Sequence, residues 1–142
     1  MKSDTLVSNA RISLATDMKN FFSYTAILEA ITGLGLIFIP AFVIRLLLLT
    51  EINSTLETLV AMVGGAAIST VALVSWMARK QPAPSLPLKA LLFYNAGVTL
   101  ILAYGNLGLG LGGIVLWGVI VFHLVQSVIT LNYMQKKRST VG

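Results

Sequence analysis

The chain has 142 residues, 56% of them hydrophobic and only 11% charged, with a mean hydropathy of +0.87 and a formal net charge of +5. Soluble domains carry about 25% charged residues, so there is too little polar side chain here to clothe a surface in water, and the same composition excludes intrinsic disorder. Cysteine is absent, which excludes disulfides, thiolate metal sites and thiol redox chemistry.

Residues 1–20 form the first predicted element. Leu6, Val7, Ala10, Leu14 and Met18 recur at helical spacing, with Asp4, Arg11 and Asp17 elsewhere around the wheel. This pattern predicts an amphipathic helix lying on the cytoplasmic membrane interface. A cleaved signal peptide is not expected, because the apolar stretch begins too late and runs too long.

Four continuous apolar segments follow, at about residues 21–39, 57–77, 88–107 and 111–134. Each has the roughly 20 residues needed at about 1.5 Å per residue to cross a hydrocarbon core about 30 Å thick. Backbone polar groups in lipid must be satisfied within the segment, so each predicts a helix. Pro40 ends the first segment, and "AFVIRLLLLT" (41–50) predicts a short helix in the outer interface with Arg45 reaching the headgroups. "QPAPSLP", with Pro82, Pro84 and Pro87, separates the second and third segments, and "GNLGLGLGG" (105–113) separates the third and fourth. The expected fold class is therefore all-α: a multi-pass membrane protein with four transmembrane helices in a bundle, forming one domain over residues 1–142 with a basic tail at 135–142.

Charge sets the expected orientation. Lys2, Arg11 and Lys19 precede the first segment, Arg79, Lys80 and Lys89 flank the second loop, and Lys136, Lys137 and Arg138 follow the fourth. Glu51 and Glu57, with Arg45, fall on the other side. The positive-inside rule then places both termini in the cytoplasm, in a bacterial inner membrane or plasma membrane. The cations are dispersed among membrane-flanking loops, so nucleic acid is not an expected partner; the lipid bilayer is.

An ionisable residue inside a span is expensive, and marks a functional candidate. Glu29 in the first span and His123 in the fourth are the two such residues. Counting helical rise from the span ends places Glu29, Asn95, Gln126 and Ser69 all about 10–12 Å from the cytoplasmic boundary, with His123 one turn further out. Thr25, Glu29, Thr32 and Gly33 share one face; so do His123, Gln126, Ser127 and Thr130, and Asn95 with Thr99. Ala61, Gly65 and Ser69 form a ladder of small residues suited to close helix approach, and Gly64, Gly97 and Gly118 read as further packing notches. Four polar stripes turned inward predict a pocket in the cytoplasmic half of the bundle built from Glu29, His123, Asn95, Gln126, Ser69 and Thr32. Glu29 is its key group and a candidate for proton exchange on ligand binding, with His123 as hydrogen-bond partner or second proton acceptor. The competing reading is a structural network that only holds the helices together. Tyr94 is adjacent to Asn95 and is grouped with Tyr24, Tyr104, Tyr133, Trp76 and Trp117 as an interfacial aromatic. One histidine and one carboxylate supply too few ligands for a metal site, and no motif specifies a cofactor or a catalytic residue.

The stretch "EAITGLGLIFIPAFVIRLLLL", followed by a small-residue span ending "WMARK", resembles the DoxX-like class of small four-helix bacterial membrane proteins and related domains of unknown function. That resemblance implies a four-helix bundle and leaves activity open. "TAILEAITGLGL" is similar to the first helix of small multidrug resistance transporters, which implies that Glu29 would bind protons and a cationic drug. Three function classes follow. The first is a binding or accessory protein holding a small lipophilic or quinone-like ligand, alone, as a homo-oligomer or within a larger membrane complex. The second is a proton-coupled exporter acting as an oligomer. The third is an enzyme on a lipid substrate with Glu29 and His123 as acid and base.

Overall fold

Proline, glycine and one capping box set the helix ends. The computed structural model describes residues 2–81 and 84–139, with side chains over residues 12–81 and 84–136. Ile39 leaves helical geometry (φ −138°, ψ 53°) between α1 (Lys2–Phe38) and α2 (Pro40–Leu48). Pro40 occupies the first turn of α2, where a missing N–H leaves no hydrogen bond unmade. A left-handed Leu49 (φ 51°) closes α2. Helix α3 (Thr55–Ala78) opens on a capping box. The Glu57 N–H donates to Ser54 Oγ at 3.2 Å, while Glu57 Oε2 accepts from the Ser54 N–H at 3.1 Å and the Asn53 N–H at 2.6 Å. Helix α4 (Ser85–Leu109) ends on a left-handed Gly110 (φ 69°), and α5 (Ile114–Ser139) is the last of the described helices.

Among the described residues, four of the five helices are long and apolar enough to cross a membrane: α1 over Ile12–Phe38, α3, α4, and α5 over Ile114–Lys136. The expected spans thus fall on helices, and the expected break at Pro40 is present. The first boundary differs. Helix α1 runs without interruption through Asn20 and Phe21, so the N-terminal segment and the first span are one element of 37 residues. No proline or glycine stands between Lys2 and Thr32 to end it. The side chains of Leu6, Val7, Ala10, Asp4 and Arg11, which carry the amphipathic reading, lie outside the described residues, as do those of Lys137 and Arg138 and the position of Pro82.

The helices pack as two close pairs, α1 with α3 and α4 with α5. The first pair meets backbone to backbone. A Cβ on Gly65 would lie 2.6 Å from the Gly33 carbonyl oxygen, and one on Gly33 would lie 2.8 Å from the Gly65 carbonyl oxygen. Only glycine permits that approach. Gly64, Gly97 and Gly118, also expected to be notches, meet no neighbour within 4 Å. Their helices turn these positions away from the contacts.

At the end of the bundle holding the α3–α4 connection, Phe21, Phe22, Ala78, Leu88 and Leu91 form an apolar cluster, with Met18, Ile129, Tyr133 and Met134 packed against it. Every long helix contributes. At the other end the Gly112 N–H donates to the Leu48 carbonyl at 2.8 Å, tying α2 to the turn before α5. Gly112 adopts φ 79° there. Large apolar side chains cover the outside, including Ile31, Phe93, Leu100 and Ile114, as expected where lipid replaces water.

A candidate intramembrane polar site

Between the two ends, the interior of the bundle is polar. Thr25, Glu29, Ser75, Asn95, His123, Gln126, Ser127 and Thr130 are all buried. A soluble protein would hold this layer only at high cost; in lipid, polar groups that cannot face outward must find one another inside. The apolar cluster closes one side of the layer, and Leu116, Ile120 and Leu36 are buried toward the other.

Three side-chain hydrogen bonds join different helices at this level. Tyr94 Oη of α4 donates to Glu29 Oε2 of α1 at 2.9 Å. His123 Nδ1 of α5 lies 2.7 Å from Asn95 Oδ1 of α4. Gln126 Nε2 of α5 donates to Thr25 Oγ1 of α1 at 3.0 Å. The first and third cross from one helix pair to the other, so the polar layer bridges the two pairs.

The tautomer of His123 follows from its neighbour. Asn95 Nδ2 donates to the Leu91 carbonyl at 2.8 Å, which fixes the amide with Oδ1 facing the imidazole. An amide oxygen only accepts, so His123 Nδ1 carries a proton, and in the neutral ring Nε2 presents a lone pair. Nε2 makes no hydrogen bond among the described residues. The Tyr94 ring stands edge-on to the imidazole, 5.7 Å between centroids, so Tyr94 touches both intramembrane ionisable groups.

The hydroxyls around this layer are satisfied locally. Thr25, Ser75, Thr99, Ser127 and Thr130 each donate to the carbonyl four residues earlier, at 2.7–3.0 Å. The amide nitrogens of Asn95 and Gln126 and the hydroxyl of Tyr94 are also engaged. One buried side-chain atom among the described residues has no partner, Gln126 Oε1. Besides the second N–H of each amide, the unmet hydrogen-bonding capacity in the layer is acceptor capacity: Gln126 Oε1, His123 Nε2, and the Glu29 carboxylate beyond its single bond from Tyr94.

The stripes expected from sequence do turn inward for Glu29, Asn95, His123 and Gln126, which are all buried. Two expected members stand apart. The Thr32 hydroxyl donates to the Leu28 carbonyl at 3.0 Å, and Ser69 Oγ to the Gly65 carbonyl at 2.9 Å. Ser69 packs against Gly33, one helical turn beyond Glu29, so it belongs to the α1–α3 contact. His123 bonds Asn95, and the hydrogen-bond partner of Glu29 is Tyr94. Residue type alone places Tyr94 at the interface. Its depth was the informative signal: it lies nine residues inside α4 (Ser85–Leu109), too deep for a headgroup position. Tyr24 and Tyr104, by contrast, are exposed at 68% and 65%.

Compared with protein families, with curated proteins and with solved structures, the chain matches none.

Proposed function

We propose that this chain is a small integral membrane binding or accessory protein whose polar layer holds the head of a lipophilic ligand beside Glu29. The buried, unpartnered Gln126 Oε1 carries this reading. Leaving such an acceptor without a donor costs about 1–3 kcal/mol, a penalty that a ligand supplying an O–H or N–H group relieves. With Glu29 and His123 Nε2 also offering acceptors, the complementary head is a donor: a hydroxyl, a phenol, the reduced form of a quinone, or an amine. A quinone carbonyl brings another acceptor to a site where the Tyr94 hydroxyl and one N–H of each of Asn95 and Gln126 are already engaged.

In this reading both termini and the α3–α4 connection lie in the cytoplasm, in accord with the Lys and Arg residues gathered on that side. Helix α2 lies in the opposite interface, where all of it is at least partly exposed and Arg45 Nη1 is 3.8 Å from Glu51 Oε1. The part of α1 preceding Phe21 extends past the hydrocarbon: 37 residues span about 55 Å at about 1.5 Å each.

A matched ligand pair tests the proposal. A para-alkylphenol and its methyl ether share body and volume, and differ in one donor. The phenol is expected to raise the unfolding temperature of the purified protein in detergent, through a stabilisation of about 2.7 kcal/mol at a concentration about a hundredfold above Kd; the ether is expected to leave it unchanged. Equal responses to both would mean that the polar layer does not read the ligand head.

A further inference from the structure

A second feature lies on the outer face of the α1–α3 pair and shares no residue with the polar layer. A groove of about 360 Å³ runs between these helices. Ala26, Ala30 and Ala72 line it with small side chains, Leu34 and Ser69 mark one end, and Trp76 stands at the other. The Ser69 hydroxyl is turned onto the Gly65 carbonyl, so the groove is apolar along its length.

Its extent fits within one leaflet. From Ser69 to Trp76 is seven residues of α3, about 10 Å, and half of a hydrocarbon core about 30 Å thick is about 15 Å. The Trp76 end is the end of α3 next to the charged connection, and it carries a cation. The Arg79 guanidinium carbon sits 3.3 Å from the centroid of the Trp76 ring, and Arg79 Nη1 donates to the Trp76 carbonyl. Lys80 follows and is exposed. Arg79 has no ion-pair partner among the described residues. A one-leaflet apolar channel that ends at an unpaired guanidinium is complementary to an acyl chain below an anionic phosphate.

We propose that this groove is a binding site for one anionic phospholipid, with the phosphate on Arg79 and Lys80 and an acyl chain lying over Ala30 and Ala72 toward Ser69. The aromatic ring at the mouth provides the probe. The chain has two tryptophans, Trp76 and Trp117, so Trp117→Phe leaves Trp76 as the single emitter. The full chain is reconstituted in phosphatidylcholine vesicles containing equal mole fractions of brominated phosphatidylglycerol or brominated phosphatidylcholine. The expected result is stronger Trp76 quenching by the brominated anionic lipid, with a preference of about fivefold for each cation engaged. Arg79→Gln, an alteration at a helix end, should remove about fivefold of that preference and leave the unfolding temperature unchanged. Ala30→Leu fills the groove and should lower quenching by both lipids. Equal quenching by the two lipids in the unaltered groove, or a preference that Arg79→Gln leaves undiminished, overturns the proposal.

Discussion

Gln126 bonds through one end of its amide and leaves the other end without a partner in a buried layer. That asymmetry is what favours the proposed ligand site over a closed structural network. Gln126→Met keeps the volume and removes both amide ends, while the Thr25 hydroxyl retains its bond to the Phe21 carbonyl. Because the change also deletes an unsatisfied acceptor, the stability of the ligand-free protein should move by less than about 1 kcal/mol. Its response to the phenol should disappear. A large loss of ligand-free stability with the response intact would assign Gln126 to scaffolding. Tyr94→Phe is the complementary change: it leaves Glu29 Oε2 without its donor and should cost about 1–3 kcal/mol in detergent unfolding. Tyr94 and Asn95 also illustrate what residue type conceals. Neighbours on a helix point about 100° apart, which by itself would keep Tyr94 out of the layer that holds Asn95. Helix α4 instead faces two helices at once, so Asn95 meets α5 while the longer tyrosine reaches α1.

Among elements, the α1–α3 contact is the most demanding sterically. Gly65→Leu would drive a side chain into the Gly33 backbone and should cost about 1–3 kcal/mol or more as the pair separates. A Cβ on Gly97 meets nothing within 4 Å, so Gly97→Leu should leave the unfolding temperature close to that of the parent. Similar losses for the two would contradict the packing described. In sequence both glycines looked alike, because a glycine inside an apolar run does not reveal which face a partner helix takes. Length and hydropathy were enough to locate the spans, and Pro40 to locate α2, because those signals act within one segment. The continuity of α1 has no such signal, since the change in composition at Phe21 marks a change of solvent without requiring a break in hydrogen bonding. Four buried site residues could be read from helical spacing alone. The pairings among them depend on how the helices are rotated against each other, and no single stripe encodes that.

At the scale of the molecule, two close helix pairs are bridged by polar side chains, with apolar packing on either side of the bridge. Orientation is open to a direct test, because the chain lacks cysteine. A single cysteine at Gln81 should react with a membrane-impermeant maleimide only in inverted vesicles, and one at Asn53 only in intact cells; the reverse pattern would invert the assignment. The central claim is that the layer around Glu29 receives the head of a ligand. The most direct measurement is a high-resolution density map of the protein purified from its own membrane in mild detergent. The account predicts elongated density, larger than water, within hydrogen-bond distance of Gln126 Oε1 and Glu29. A layer closed on itself, with Gln126 Oε1 reached by a protein donor and no added density beside Glu29, would contradict it.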